Sequence, residues 1–370
     1  MRSCIIIKLS KKNIIILTCV LFLFTACSNY KVNKLSSNIK NIKLDSRLLQ
    51  RDFSSKIKCG NLSVDYNNAE AVNDIARLKL NTVNVPVRVD IANINSADMR
   101  LNNESLKKAE NIIKKLTSNN INVILEPYPW IENGTAYETK YNPKSVDKFF
   151  NNWKNVVIRE IIKKIAVPYK VNAICIASNF DKLEKYESKW LEVYSYARQN
   201  YNGLITYKTN WWYTAQWDSN SKWNFKRKLN NKIFAKVDFI SIAAYFELSG
   251  KKTNSVNELK KDLYASSIYN RKQNIVNEVK QLHNVYNKPI FFGELGFPRR
   301  DYAAKEPWNA EVSAIENGNE QARCFRAYTE TFSQKWFMGF SVFAIGNKAK
   351  DKIYYPSKET ADVISKLNSQ

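Results

Sequence analysis

The sequence predicts a (β/α)8 barrel of the TIM type, built as a single domain. Three observations predict it. A beat of short apolar strand, loop and helix-period segment repeats eight times. Polar and aromatic residues gather where those strands end, the face on which such barrels carry their sites. The nine glycines form no GxGxxG or GxxxxGKS/T cradle, which argues against a doubly wound nucleotide fold.

The elements follow in order. Lys56–Cys59 is the first strand. Thr82–Arg88 (TVNVPVR) and Asn122–Pro127 (NVILEP) are β-branched or leucine-rich runs. Ala173–Ala177 (AICIA), Leu204–Thr209 (LITYKT) and Phe239–Ala244 (FISIAA) continue the series. Pro289–Gly293 (PIFFG) and Met338–Ala344 (MGFSVFA) complete it. Between them, Ser105–Asn120, Val146–Ala166 and Lys189–Tyr201 carry apolar residues at helical spacing. The barrel is assigned to residues 53–350 and a C-terminal helix or tail to 351–370.

The N-terminus reads as an address. Arg2, Lys8, Lys11 and Lys12 precede the apolar run Ile14–Ala26, which is short for a membrane span. The run ends Leu23-Phe24-Thr25-Ala26-Cys27 and is similar to a bacterial lipoprotein signal, with Phe24 where leucine is more usual. That resemblance implies a signal peptide over 1–26 and a lipidated Cys27, with the body anchored outside the cytoplasmic membrane. Residues 27–52, rich in Ser, Asn and Lys, read as a polar tether.

Lys and Arg number 58 against 34 Asp and Glu, a net charge of +24. The excess is mostly lysine and is spread along the chain. A nucleic-acid footprint would cluster it, so nucleic acid is not an expected partner. A positive surface still favours an anionic polymer or membrane surface. Cys59, Cys175 and Cys324, an odd number without CxxC spacing, predict buried free thiols. The single histidine, His283, is placed on a solvent-facing helix end and cannot build a His-based triad or a multi-histidine metal site. No metal and no cofactor is expected, and the expected state is a monomer.

The predicted strand ends present Arg88, Glu126, Tyr128, Trp130, Asn179, Trp211, Trp212, Tyr245 and Glu294, with Trp308 in the loop after the seventh strand. Aromatic walls with a few acids suit sugar, whose C–H faces stack on rings while its hydroxyls need hydrogen bonds. Glu294 stands out: it ends the apolar run KPIFFGELGFP, where an unpaired carboxylate would be costly to bury.

FFGELGFPRRDYAAKEPWN, the Gln321-Ala322 pair and VDFISIAAYFEL together resemble the clan A glycoside hydrolases, and among them the family 113 endo-β-mannanases. The resemblance spans roughly Lys56 to Gly346. It implies a retaining mechanism with Glu294 as nucleophile and Tyr245 as the tyrosine bonded to it, and Arg88 is a further candidate neighbour. It also implies a polysaccharide or cell-surface glycan as partner and a glutamate at the end of strand four as acid/base.

That glutamate is missing. Strand four reads ICIASNFDKLEKYESKW, placing Asn179 or Phe180 where the acid belongs. An asparagine cannot protonate a leaving group as an acid would. Asp181 is the nearest substitute, with a helix N-cap as its alternative role, and Glu184, Glu126 and Glu132 are further candidates. Tyr128 replaces a family histidine, and Ala344-Ile345 replace a tryptophan-rich strand end. Three readings stay open: a glycoside hydrolase with a relocated or absent acid, a non-catalytic barrel that binds glycan, and a scaffold of cell-surface assembly without glycan contact.

The address reading is testable. Cys27→Ala is expected to release the protein from the membrane fraction or leave its precursor uncleaved, followed by fractionation and mass spectrometry. Unchanged retention of a correctly processed variant would contradict it.

Overall fold

The computed structural model describes residues 56–349 and 352–370; the segments read as signal peptide and tether, with Cys27, lie outside them. Its strands are β1 (Ile57–Leu62), β2 (Thr82–Ile91), β3 (Met99–Leu101), β4 (Asn122–Ile131), β5 (Ala173–Ser178), β6 (Leu204–Asn210), β7 (Phe239–Ala243), β8 (Ile290–Leu295) and β9 (Phe337–Ile345). All except β3 run parallel, and β1 pairs with both β2 and β9, so the sheet closes into the expected barrel. β3 is an antiparallel addition to β2.

Alternation along each strand sorts residues between two cores. One face packs under the helices, where Val85, Ile174, Ile205 and Ile240 meet Ile75, Ile113, Ile161 and Leu282. Each such side chain contributes about 1.5–3 kcal/mol by its burial. The other face fills the barrel. Ile57, Cys59, Ile124, Ala173, Leu204, Phe239, Phe291 and Met338 form an apolar plug at one end. Two residues further along β4 and four further along β6 the interior turns polar, with Glu126 and Lys208 both buried.

Many of the asparagines have a structural use. Asn67, Asn102, Asn274 and Asn317 each cap a helix by accepting backbone N–H bonds, as do Ser145, Asp218, Ser255 and Ser357. Such a cap contributes about 1 kcal/mol. The helical run starting at Val146 is π-wound at Trp153–Ile158 and Ile162–Ala166. The terminal helix Lys358–Asn368 belongs to the barrel: Asn368 donates to the Leu78 carbonyl (2.8 Å) and Thr360 to Gln321 (2.9 Å). The expected C-terminal helix thus packs on the barrel.

Cys59, Cys175 and Cys324 are free and buried. His283 is half-buried rather than solvent-facing, because its ring stacks on Trp336 at 5.3 Å.

The closing seam depends on Gly339, which has φ +122° and pairs with Ile57. A Cβ there would lie 2.2 Å from the Ile57 carbonyl oxygen. Gly339→Ala is expected to cost about 1–3 kcal/mol from backbone strain alone. A thermal melt should show it as a midpoint lower by about 2–4 °C per kcal/mol.

Candidate active site

Strict alternation would turn Glu294 outward, since Phe291 lies in the interior plug and Phe292 in the outer core. A bulge prevents this. Between Phe291 and Glu294, β8 advances three residues while β7 advances two, from Ser241 to Ala243. The extra residue re-aims the strand end, a common use of bulges beside sites. Gly293 makes room: a Cβ would meet Ser241 Oγ at 2.3 Å and Lys208 Cδ at 3.1 Å.

Lys208, on the inward face of β6, passes through that space. Its ammonium donates to Glu126 Oε1 at 2.5 Å and to Glu294 Oε1. Burial alone would lower the lysine's pKa, but the two carboxylates outweigh it and hold the group above its ordinary value. Glu126 also accepts from Asn84 and Ser178, both at 2.6 Å, so this expected substrate ligand is a fully engaged carboxylate beside Glu294.

The other oxygen of Glu294 accepts from Tyr245 Oη at 2.9 Å. That contact follows from the sheet, because the Ala244 amide donates to the Glu294 carbonyl at 2.7 Å and brings Tyr245 alongside. Burial and the neighbouring negative charge push the phenol well above its ordinary pKa, so it remains a donor. Asn179, at φ +53°, directs Nδ2 to Glu294 Oε1 at 3.2 Å. Arg88 does not join this group. It pairs with Asp90 at 2.7 Å and lies over the Trp130 ring at 5.6 Å.

Phe180, the alternative at the missing-acid position, faces away and is 1% exposed, packed among Trp153, Trp190, Phe149 and Tyr141. Asp181 accepts from Asn210 at 3.2 Å and lines a separate hollow of about 580 Å³ with Glu184, Trp211 and Trp212. Burial, with Glu184 beside it, raises its pKa to about 6, but its hydrogen bond runs to Asn210 and not to Glu294. Nor does it cap the next helix, which starts at Glu187 behind Tyr186. Glu184 pairs with Lys228 at 2.7 Å, and Glu132 accepts from the Ile94 amide.

A carboxyl that sequence reasoning missed stands across Asn179. Glu138, in a single 3-10 turn (Glu138–Lys140) beyond β4, accepts from the same Asn179 Nδ2 at 3.2 Å. Burial and then the charge on Glu294 raise its pKa to about 7. The available signal was the long connection GTAYETKYNP after the third barrel strand, since such loops carry function in this fold. Lys208 was missed too, though a lysine inside LITYKT is the mark of a paired interior charge.

Glu294, Glu126 and Lys208 open onto a cavity of about 420 Å³, lined also by Tyr128, Trp130 and Tyr354. The three tryptophans expected to share one groove are divided. Trp130 lines this cavity, while Trp211 and Trp212 border the other hollow; Trp212 is in addition buried, its Nε1 donating to Glu278 at 2.8 Å and its ring stacked on Phe225. Trp308 is exposed and donates to Glu247 at 3.0 Å. Among the described residues no cluster of His, Cys, Asp and Glu could hold a metal ion.

The profile of glycoside hydrolase family 113 matches residues 57–362. Among solved structures, a family 113 β-mannanase from Alicyclobacillus acidocaldarius superposes with a TM-score of 0.67 at 17% identity, covering 86% of this chain and 98% of that one. A family 113 β-1,4-mannanase gives 0.65 at 21% identity, over 85% and 99%. The endoglucanase Cel5A of Pseudomonas stutzeri gives 0.52 at 12%, over 84% and 94%. Comparison with curated proteins finds no match.

Removing the cation should expose its role. Lys208→Met leaves two buried carboxylates facing each other, and is expected to destabilise by about 3–5 kcal/mol in chemical denaturation. Tyr245→Phe removes one neutral donor and should cost only about 1–3 kcal/mol.

Proposed function

The chain belongs to glycoside hydrolase family 113, and we propose that it hydrolyses a β-linked polysaccharide outside the cytoplasmic membrane by a retaining mechanism. One observation carries this reading: Glu294 reaches the cavity with Lys208 and Asn179 on one oxygen and Tyr245 on the other. A nucleophile needs a fixed direction of attack, and these donors fix the carboxylate plane without covalent restraint. In the first half-reaction a Glu294 oxygen bonds to the anomeric carbon as the glycosidic C–O bond breaks. In the second, water displaces Glu294 from that carbon. As negative charge leaves the carboxylate for the bond, Tyr245 and Lys208 follow it with little rearrangement.

The β-mannanase likenesses support a β-linked polymer as substrate class. Trp130, half-buried beside the cavity and flanked by Arg88, offers a ring on which a sugar can stack. The leader reading supports a lipid-anchored position from which such a polymer is accessible.

Dinitrophenyl β-mannoside and β-glucoside, with soluble β-mannan, test the mechanism. Wild type is expected to release the phenol. Glu294→Gln should lower turnover to less than about one-thousandth. Glu294→Ala with added azide should give a glycosyl azide of inverted configuration. Wild-type protein that binds mannan yet releases no phenol would overturn the proposal in favour of a binding barrel.

A further inference from the structure

The fourth barrel strand, β5, delivers no carboxyl to the cavity. Asn179 is buried, and Phe180 is turned into the outer core. Yet the amide of Asn179 is not idle. Its single nitrogen bridges Glu294 Oε1 and Glu138 Oε1, each 3.2 Å away, so the two carboxyl oxygens are separated by no more than twice that distance. A pair of carboxyls roughly 5 Å apart is what double displacement with retention needs.

The loop bearing Glu138 is built to hold that position. Tyr141, three residues on, is fully buried and its ring lies 5.8 Å from Phe180. The Asn142 amide donates to the Ile94 carbonyl at 2.8 Å and the Lys144 amide to Asn95 at 3.0 Å. The residue at the vacated acid position thus anchors the segment that brings a different acid in.

We propose that Glu138, held against Asn179 by this loop, is the general acid and base of the reaction, in place of a glutamate on the fourth strand. This rests on Glu294 as nucleophile. In the first step the Glu138 proton passes to the leaving oxygen, which takes the electron pair of the broken C–O bond, while Glu294 forms its ester. In the second step the Glu138 carboxylate removes a proton from water. The water oxygen bonds to the anomeric carbon and Glu294 departs with the ester electron pair. Glycoside and water are consumed, and Glu138 ends protonated as it began.

The electrostatics agree. Burial and the Glu294 charge disfavour a second anion, whereas Lys208 and the Asn179 amide act the other way, leaving the Glu138 pKa at about 7. Tyr128 is the other titrating neighbour, and it stays protonated under the charges of Glu138, Glu294 and Glu126. Glu138 is therefore a proton donor below about pH 7 and ionises above it. When Glu294 becomes an ester its charge is lost, Glu138 becomes more acidic, and it can serve as the base for the second step.

Glu138→Ala and Glu138→Gln test this, with thermal melts confirming an unchanged fold. On β-mannan the variants should lose about 10²- to 10⁴-fold in kcat/KM. On dinitrophenyl β-mannoside, whose leaving group needs no proton, glycosylation should persist. Azide should then accelerate turnover of Glu138→Ala and give a glycosyl azide of retained configuration. The alkaline limb of the wild-type pH profile should vanish in Glu138→Gln. A readout independent of the sugar is carbon NMR of carboxyl-labelled glutamate. One signal should titrate near pH 7, disappear in Glu138→Gln, and move to lower pH in Glu294→Gln. Full β-mannan activity in Glu138→Ala, or a Glu138 signal titrating in the ordinary carboxyl range, would overturn the proposal. Loss of activity in Glu294→Gln alongside that result would leave the nucleophile reading intact.

Discussion

The interior of this barrel depends on one buried cation. Lys208 sits between Glu126 and Glu294 at the level where the apolar plug ends. Desolvating three charged groups together is tolerable only when each is held by partners of opposite sign or by hydrogen bonds. The surrounding sequence meets that condition: Asn84 and Ser178 hold Glu126, while Tyr245 and Asn179 hold Glu294. Even the chain path complies, since Gly293 and the bulge in β8 leave a passage for the lysine stem. The arrangement joins β4, β6 and β8 through their side chains, a link that backbone pairing between adjacent strands cannot make.

Most of the fold was legible because periodicity is local. All eight barrel strands lie close to where their apolar runs placed them, and two of the strand-end aromatics, Tyr128 and Trp130, line the cavity with Glu294. The expected contact between Tyr245 and Glu294 is present for another reason: Glu294 ends β8 and Tyr245 lies just past β7, so strand register fixes their depth. What could not be read is whatever depends on two distant segments meeting. Trp211 and Trp212 are neighbours in sequence, yet Trp212 is buried in the core while Trp211 packs against it half-buried. Arg88 was the cation expected beside Glu294, and strand alternation with the Gly293 opening puts Lys208 there instead.

Glu138 shows the same limit more sharply. Nothing in TAYETKYNP has strand or helix periodicity, so sequence alone leaves its depth undefined. Its depth comes from Tyr141 under the outer aromatic core and from backbone bonds to Ile94 and Asn95. The candidate acids that were weighed from sequence all lay on or just past strand ends, where the fold usually carries them. The acid proposed in its place sits on a loop, whose path is set by tertiary contacts.

The Tyr141–Phe180 contact gives the two carboxyls unequal tenancy. Glu294 is mounted on a barrel strand and remains in place until the whole sheet opens. Glu138 is mounted on a clasp with one large aromatic stud and a few backbone bonds, and such segments open at a lower free energy than the core that bears them. Warming or mild denaturant is thus expected to undo the clasp before the barrel melts. In that interval the protein keeps its far-ultraviolet dichroism and the placement of Glu294, but has lost that of Glu138.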